Sequence, residues 1–159
     1  MGQSGIILKE KKDIIFEEIL SNVKKALENA GYHYICDTEK GCFKSFEYES
    51  NTICVQDRQN PERGYLMYLY GKSEEVYDTM FDWIKKGACL NQIISIEDFN
   101  NCEDMLLRFV YEYMKLSPND IFYDELDWYY TKADIDKIVS NTTLQLFKKK
   151  KYRTGHFGV

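Results

Sequence analysis

Over residues 9–30 the apolar side chains Ile15, Ile19, Val23, Ala26, Leu27 and Ala30 recur every three to four positions, with Lys and Glu filling most of the gaps. That spacing lines one stripe of a helix. Gly31 follows the last apolar residue, where a left-handed cap closes a helix at no Cβ cost. The pattern predicts a helix over 9–30, preceded by a flexible stretch at 1–8.

Past Tyr32 the period drops to two, and Tyr, Phe, Ile, Val, Thr and Cys dominate up to Gly71. These residues suit a pleated, half-buried surface. Three or four antiparallel strands are expected near 32–37, 42–49, 52–57 and 65–70, with breaks at 39–41, 50–51 and 60–64. In the fourth, Tyr65, Met67 and Leu69 alternate with Leu66, Tyr68 and Tyr70, so both faces are apolar. Such a strand lies centrally or offers one face to a partner.

The helical period then returns. Ser73 before Glu74 and Glu75 predicts an N-cap for a helix carrying Val76, Met80, Trp83 and Ile84 and ending at Gly87. Ser95 with Asp98 suggests a short capped turn, and Asn101 with Asp104 repeats the spacing before a helix that buries Cys102, Leu106, Phe109, Val110 and Tyr113. Ser117 and Pro118 stop it. Thr131 with Asp134 opens a last helix, whose Ile135, Ile138, Val139, Thr142 and Leu146 face inward.

These elements add up to an α+β fold: an N-terminal helix, an antiparallel meander of three to four strands, then about three helices packed on one face of the sheet. The 159 residues suit one domain, placed at 9–147 and followed by a basic tail at 148–159. The helix-then-sheet order resembles the layout of small secretion chaperones and of some toxin-neutralising immunity proteins. The resemblance is one of layout and carries no diagnostic motif.

Charge refines this picture. The net charge is −5, but residues 97–136 hold eleven acidic and three basic side chains, and residues 137–159 hold six basic and none acidic. An acidic body disfavours duplex nucleic acid, whose phosphates need a basic face, and favours a basic protein partner. The lysine run at 148–151 is read as a solvated helix end rather than as a site for RNA or lipid. No apolar run approaches the ~18 residues of a membrane span. With no basic n-region and only Ile6, Ile7 and Leu8 as an apolar core, no export signal is visible, and a cytoplasmic protein is expected.

The usual catalytic and cofactor signatures are missing. There is no G-x-S-x-G, H-E-x-x-H, G-x-G-x-x-G or phosphate-cradling glycine loop. The five cysteines, Cys36, Cys42, Cys54, Cys89 and Cys102, form no C-x-x-C pair, so reduced thiols are expected and neither metal nor cofactor is implied. A zinc site would need Cys36, Cys42 and Cys54 to converge with His33, which reads as structural.

The segment 120–130 stands out, with four carboxylates, five aromatics and no basic residue. Asp120, Tyr123, Asp124, Glu125, Asp127, Trp128, Tyr129 and Tyr130 are the candidate binding residues. Rigid aromatic side chains anchor interfaces, and carboxylates around them steer a cationic partner. The competing reading has Phe122, Trp128 and Tyr129 folding back to fill a gap between helices while the carboxylates keep the loop soluble. As calcium ligands, Asp120, Asp124 and Asp127 lack the required alternation, central glycine and closing glutamate.

Two function classes follow. The first is a non-enzymatic, protein-binding module, of the immunity type, that occludes a basic protein. The second is a small enzyme or ligand-binding domain with a carboxylate-lined pocket.

Overall fold

The computed structural model describes residues 3–43, 46–70, 81–141 and 151–152. It is an α+β fold, but the sheet is larger than the meander expected from sequence and the helices are not gathered at the C-terminus. The strands are β1 (Ser4–Glu10), β2 (His33–Phe43), β3 (Phe46–Gln56), β4 (Gly64–Tyr70), β5 (Leu90–Glu97), β6 (Ile121–Asp124), β7 (Trp128–Tyr130) and β8 (Lys151–Tyr152). The helices are α1 (Phe16–Ala30), α2 (Glu103–Leu116) and α3 (Lys132–Ser140). All pairings are antiparallel, in the order β2-β3-β4-β5-β1-β6-β7-β8.

The largest correction concerns the first ten residues. Residues 4–8, expected to be flexible, belong to β1, which lies inside the sheet between β5 and β6, with Ile7 and Leu8 fully buried. Three consecutive apolar residues conceal the period of two, because Ile6 and Leu8 face one side and Ile7 the other, next to a bulge at Ile7/Leu8. Gly5 is required here: a Cβ would lie 2.8 Å from the Phe122 ring. The helix expected over 9–30 is therefore shorter. A 3-10 turn occupies Lys11–Asp13, and α1 starts at Phe16 and ends on Gly31, whose φ of +82° is the left-handed cap anticipated.

The same bulge hides β5. Ile7 pairs with Ile94 and Leu8 with Gln92, so Ile93 is the extra residue that breaks the alternation. Ser95, read as a cap, is a strand residue. β2 and β3 run through the breaks expected at 39–41 and 50–51, as two strands of 11 residues each. Most of the helix expected from Ser73 lies outside the described residues, as do Thr142 and Leu146. α2 stops before Pro118, and Thr131 with Asp134 forms a complete capping box at the start of α3.

One face of the sheet carries the main core. Ile53, Val55, Met67, Leu69, Ile94 and Phe122 point at α1, α2 and α3, against Val23, Leu27, Phe109, Val110, Tyr113 and Ile135. The second face divides in two. Around β1, β5 and β6 a smaller cluster of Leu8, Leu90 and Ile121 is covered by Phe81 and Ala88, with Ile6, Ile84, Tyr123 and Tyr129 packed against it. Toward β4, β3 and β2, the side chains of Leu66, Tyr68, Tyr70, Cys54 and Ile35 enter neither cluster.

No helix among the described residues is long and apolar enough to cross a membrane. The five cysteines are free thiols.

Candidate binding surface

After Pro118 ends α2, the chain enters the sheet at Ile121 and makes the β6–β7 hairpin, so the segment read as a loop is a short antiparallel pair. Its turn is organised by Asp124, which is 9% exposed. One carboxylate oxygen of Asp124 accepts the Leu126 N–H at 2.9 Å and the Trp128 N–H at 3.4 Å. Asp127 closes the turn with φ +61°, a left-handed conformation that Asp tolerates better than most residues. The Tyr123 hydroxyl donates to the Asp127 carboxylate. β1 clamps the outside of the turn: the Ser4 hydroxyl donates to Glu125 Oε2 at 2.9 Å, and the Glu125 N–H donates to the Ser4 carbonyl at 3.3 Å.

The consequence is a held tip. Leu126 is 64% exposed, with Glu125 exposed and Asp127 half-buried on either side of it. Behind the tip, Trp83 meets Tyr123 and Tyr129 edge to face, with ring centroids 6.0 and 5.6 Å apart, and Phe81 meets Tyr123 at 5.4 Å. Such contacts add ~0.5–1.5 kcal/mol each beyond burial, so the hairpin is braced against the segment that covers it.

The eight candidate residues thus separate. Glu125 and Asp127 are at the tip. Tyr123 and Tyr129, both half-buried, form the aromatic brace, and Trp128 packs against the main core. Asp124 is structural. Asp120 is not on the surface: it is 2% exposed, accepting from Lys9 Nζ at 2.9 Å and from the Tyr113 hydroxyl at 2.7 Å. Burial pushes its carboxyl above the usual aspartate range, while Lys9 and Tyr113 offset part of that effect. Tyr130 is fully buried against Phe122, and burial raises its phenol well above the ordinary value. Of the three aromatics expected to fold back into a gap between helices, Phe122 is buried, as a strand residue, while Trp128 and Tyr129 are half-buried; Tyr130, not among them, is buried as well.

Leu126 and Ser4 were not singled out by sequence, and Trp83 was read only as part of a helix stripe. Leu126 carried a signal all the same, as the lone aliphatic residue between two carboxylates in a turn. Ser4 and Trp83 reach the hairpin only through tertiary structure.

A groove of about 450 Å³ runs along α1, lined by Phe16, Leu20, Lys24, Glu28 and Glu49 among others. Its charged groups are of both signs, and Glu28 already accepts the Tyr34 hydroxyl at 3.0 Å. Glu17, Glu28 and Glu49 line it together with Lys24 and Lys25. Among the described residues no group of three or more His, Cys, Asp or Glu is placed to hold a metal ion. No protein-family model, curated protein or solved structure matches this chain.

Proposed function

We propose that this chain is a non-enzymatic, cytoplasmic protein-binding module, of the immunity type, that covers a basic protein partner with the β6–β7 hairpin. The observation that carries the reading is the exposed Leu126, held between Glu125 and Asp127 by a turn whose backbone is fixed by buried Asp124. An apolar residue exposed on a braced turn loses little conformational freedom on binding, which is the circumstance in which a small contact becomes an energetic anchor. The surrounding carboxylates disfavour phosphate-bearing ligands and raise the encounter rate with a cationic surface.

The test is selection of peptides from a random displayed library against the full chain. Enriched peptides should be rich in Lys and Arg with one or more apolar anchors. Glu125→Lys and Leu126→Ser should each weaken their binding by about tenfold, a change of ~1.4 kcal/mol. Selection of acidic peptides, or binding indifferent to both substitutions, would contradict the proposal.

A further inference from the structure

Among the described residues, the half of the second sheet face formed by β2, β3 and β4 belongs to neither apolar cluster and has its own chemistry. Sheet register puts Ile35, Cys54 and Leu66 in one cross-strand row ending at Glu97, and Asp37, Thr52, Tyr68 and Ser95 in the next. Glu39, Ser50 and Tyr70 make a third. Ile35 is 54% and Tyr70 50% exposed, values that set them apart from the sheet's other large apolar side chains among the described residues. The formally charged residues that these three rows contain are Asp37, Glu39 and Glu97, all acidic and all exposed. Glu97 and Tyr68 lie close enough to Tyr70 to raise the pKa of its phenol, after burial the main causes.

The second row continues, against the smaller cluster, through Ile6 on β1 to Tyr123 and Tyr129 on the hairpin, and Tyr129 pairs in turn with Lys151 on β8. Glu97 pairs with Ser4, the residue that holds Glu125. The hairpin tip and the Glu97 end of the first row are therefore joined through Ser4.

We infer that this half of the sheet face is the docking surface for an arginine-rich extended segment of the protein partner. The inference rests on the proposed function and names the chemistry of the partner. Tyr68 and Tyr70 are two residues apart on one face of β4, a separation of ~7 Å, so each ring can take a guanidinium. Arginine stacks on a tyrosine face and forks onto a carboxylate at the same time, whereas a lysine ammonium is a compact, strongly hydrated charge. The acidic rim supplies the complementary carboxylates. A second copy of this chain is a poor occupant, because face-to-face contact would oppose two acidic rims.

The experiment is calorimetric titration of the full chain with nona-arginine, nona-lysine and nona-glutamate. Nona-arginine is expected to bind at least about threefold more tightly than nona-lysine, with no binding of nona-glutamate. Tyr70→Ser and Glu97→Lys should each weaken it about fivefold, whereas Glu17→Lys on α1 should have no effect. Ile35→Ser on the edge strand is a second apolar variant at an exposed position, and thermal melting confirms that each variant is folded. If Glu125→Lys weakens binding while Tyr70→Ser, Ile35→Ser and Glu97→Lys do not, this inference falls and the hairpin reading stands. Equal binding of the arginine and lysine peptides overturns the choice of arginine. Self-association of the chain that Tyr70→Ser abolishes overturns the partner in favour of a second copy, and absence of binding by either cationic peptide overturns both readings.

Discussion

Lys9 and Asp120, 111 residues apart in the chain, meet with Nζ 2.9 Å from Oδ1 inside the sheet-to-helix layer. The pair joins β1 to the start of β6, and Tyr113 of α2 donates to the other carboxylate oxygen. Removing one partner of a buried ion pair costs more than the pair contributes, since the survivor is left charged and unsolvated. Lys9→Met should therefore lower stability by about 3–5 kcal/mol at neutral pH. The deficit should shrink in acid: with Lys9 gone, the Asp120 pKa stands further above its ordinary 3.8, and stability is lost as pH rises through that window. Denaturant melts of the wild type and Lys9→Met between about pH 4 and 7 check this; a pH-independent deficit would contradict it.

Two buried tyrosines should respond oppositely to loss of the hydroxyl. Tyr65 is 3% exposed and its hydroxyl has no hydrogen-bond partner among the described residues, whereas Tyr113 donates to Asp120 at 2.7 Å. Tyr65→Phe should be neutral or stabilising by about 1 kcal/mol, and Tyr113→Phe destabilising by about 1.5–3 kcal/mol. Burial raises both phenols well above 10.0 and pushes Tyr32 up to about 12. The unfolded chain thus releases these protons first, and stability present below about pH 10 is lost as pH climbs above it. In Tyr65→Phe the alkaline fall of stability should be shallower than in the wild type.

Asp124 acts on the tip without belonging to it. Asp124→Ala leaves two backbone N–H groups without their carboxylate acceptor, and should cost about 2 kcal/mol. Peptide binding should also weaken, because Leu126 is no longer held. Asp127→Gly should melt within a few degrees of the wild type, since easing the left-handed φ offsets loss of the bond from Tyr123. Similar melting losses for both variants would show that the turn is not organised by Asp124.

The helices were legible where polar and apolar positions follow one period to a clear stop, as at Gly31, Pro118 and the Thr131–Asp134 box. Strands β1 and β5 were not, because three consecutive apolar residues hide the alternation of β1, the extra residue Ile93 breaks that of β5, and a central strand is apolar on both sides. Missing β1 misplaced the site too: Asp120 reads as a surface carboxylate until Lys9 is known to lie beside it. Sequence did mark the two apolar faces of β4, and the structure places Leu66, Tyr68 and Tyr70 on the face opposite the main core, in neither cluster of the described residues. Most of the basic tail placed at 148–159 lies outside the described residues. Lys151–Tyr152, however, pair with β7, so truncation after residue 147 removes an edge strand.

The account is tested most directly by the association rate of a library-selected basic peptide, measured by stopped flow at about 20 and 300 mM salt, where charge steering is weakly and strongly screened. For the wild type, the rate should fall about tenfold or more over that range. Glu125→Lys should lower it at low salt to near the high-salt value. A rate that ignores salt and is the same for the wild type and Glu125→Lys would contradict binding through the acidic hairpin.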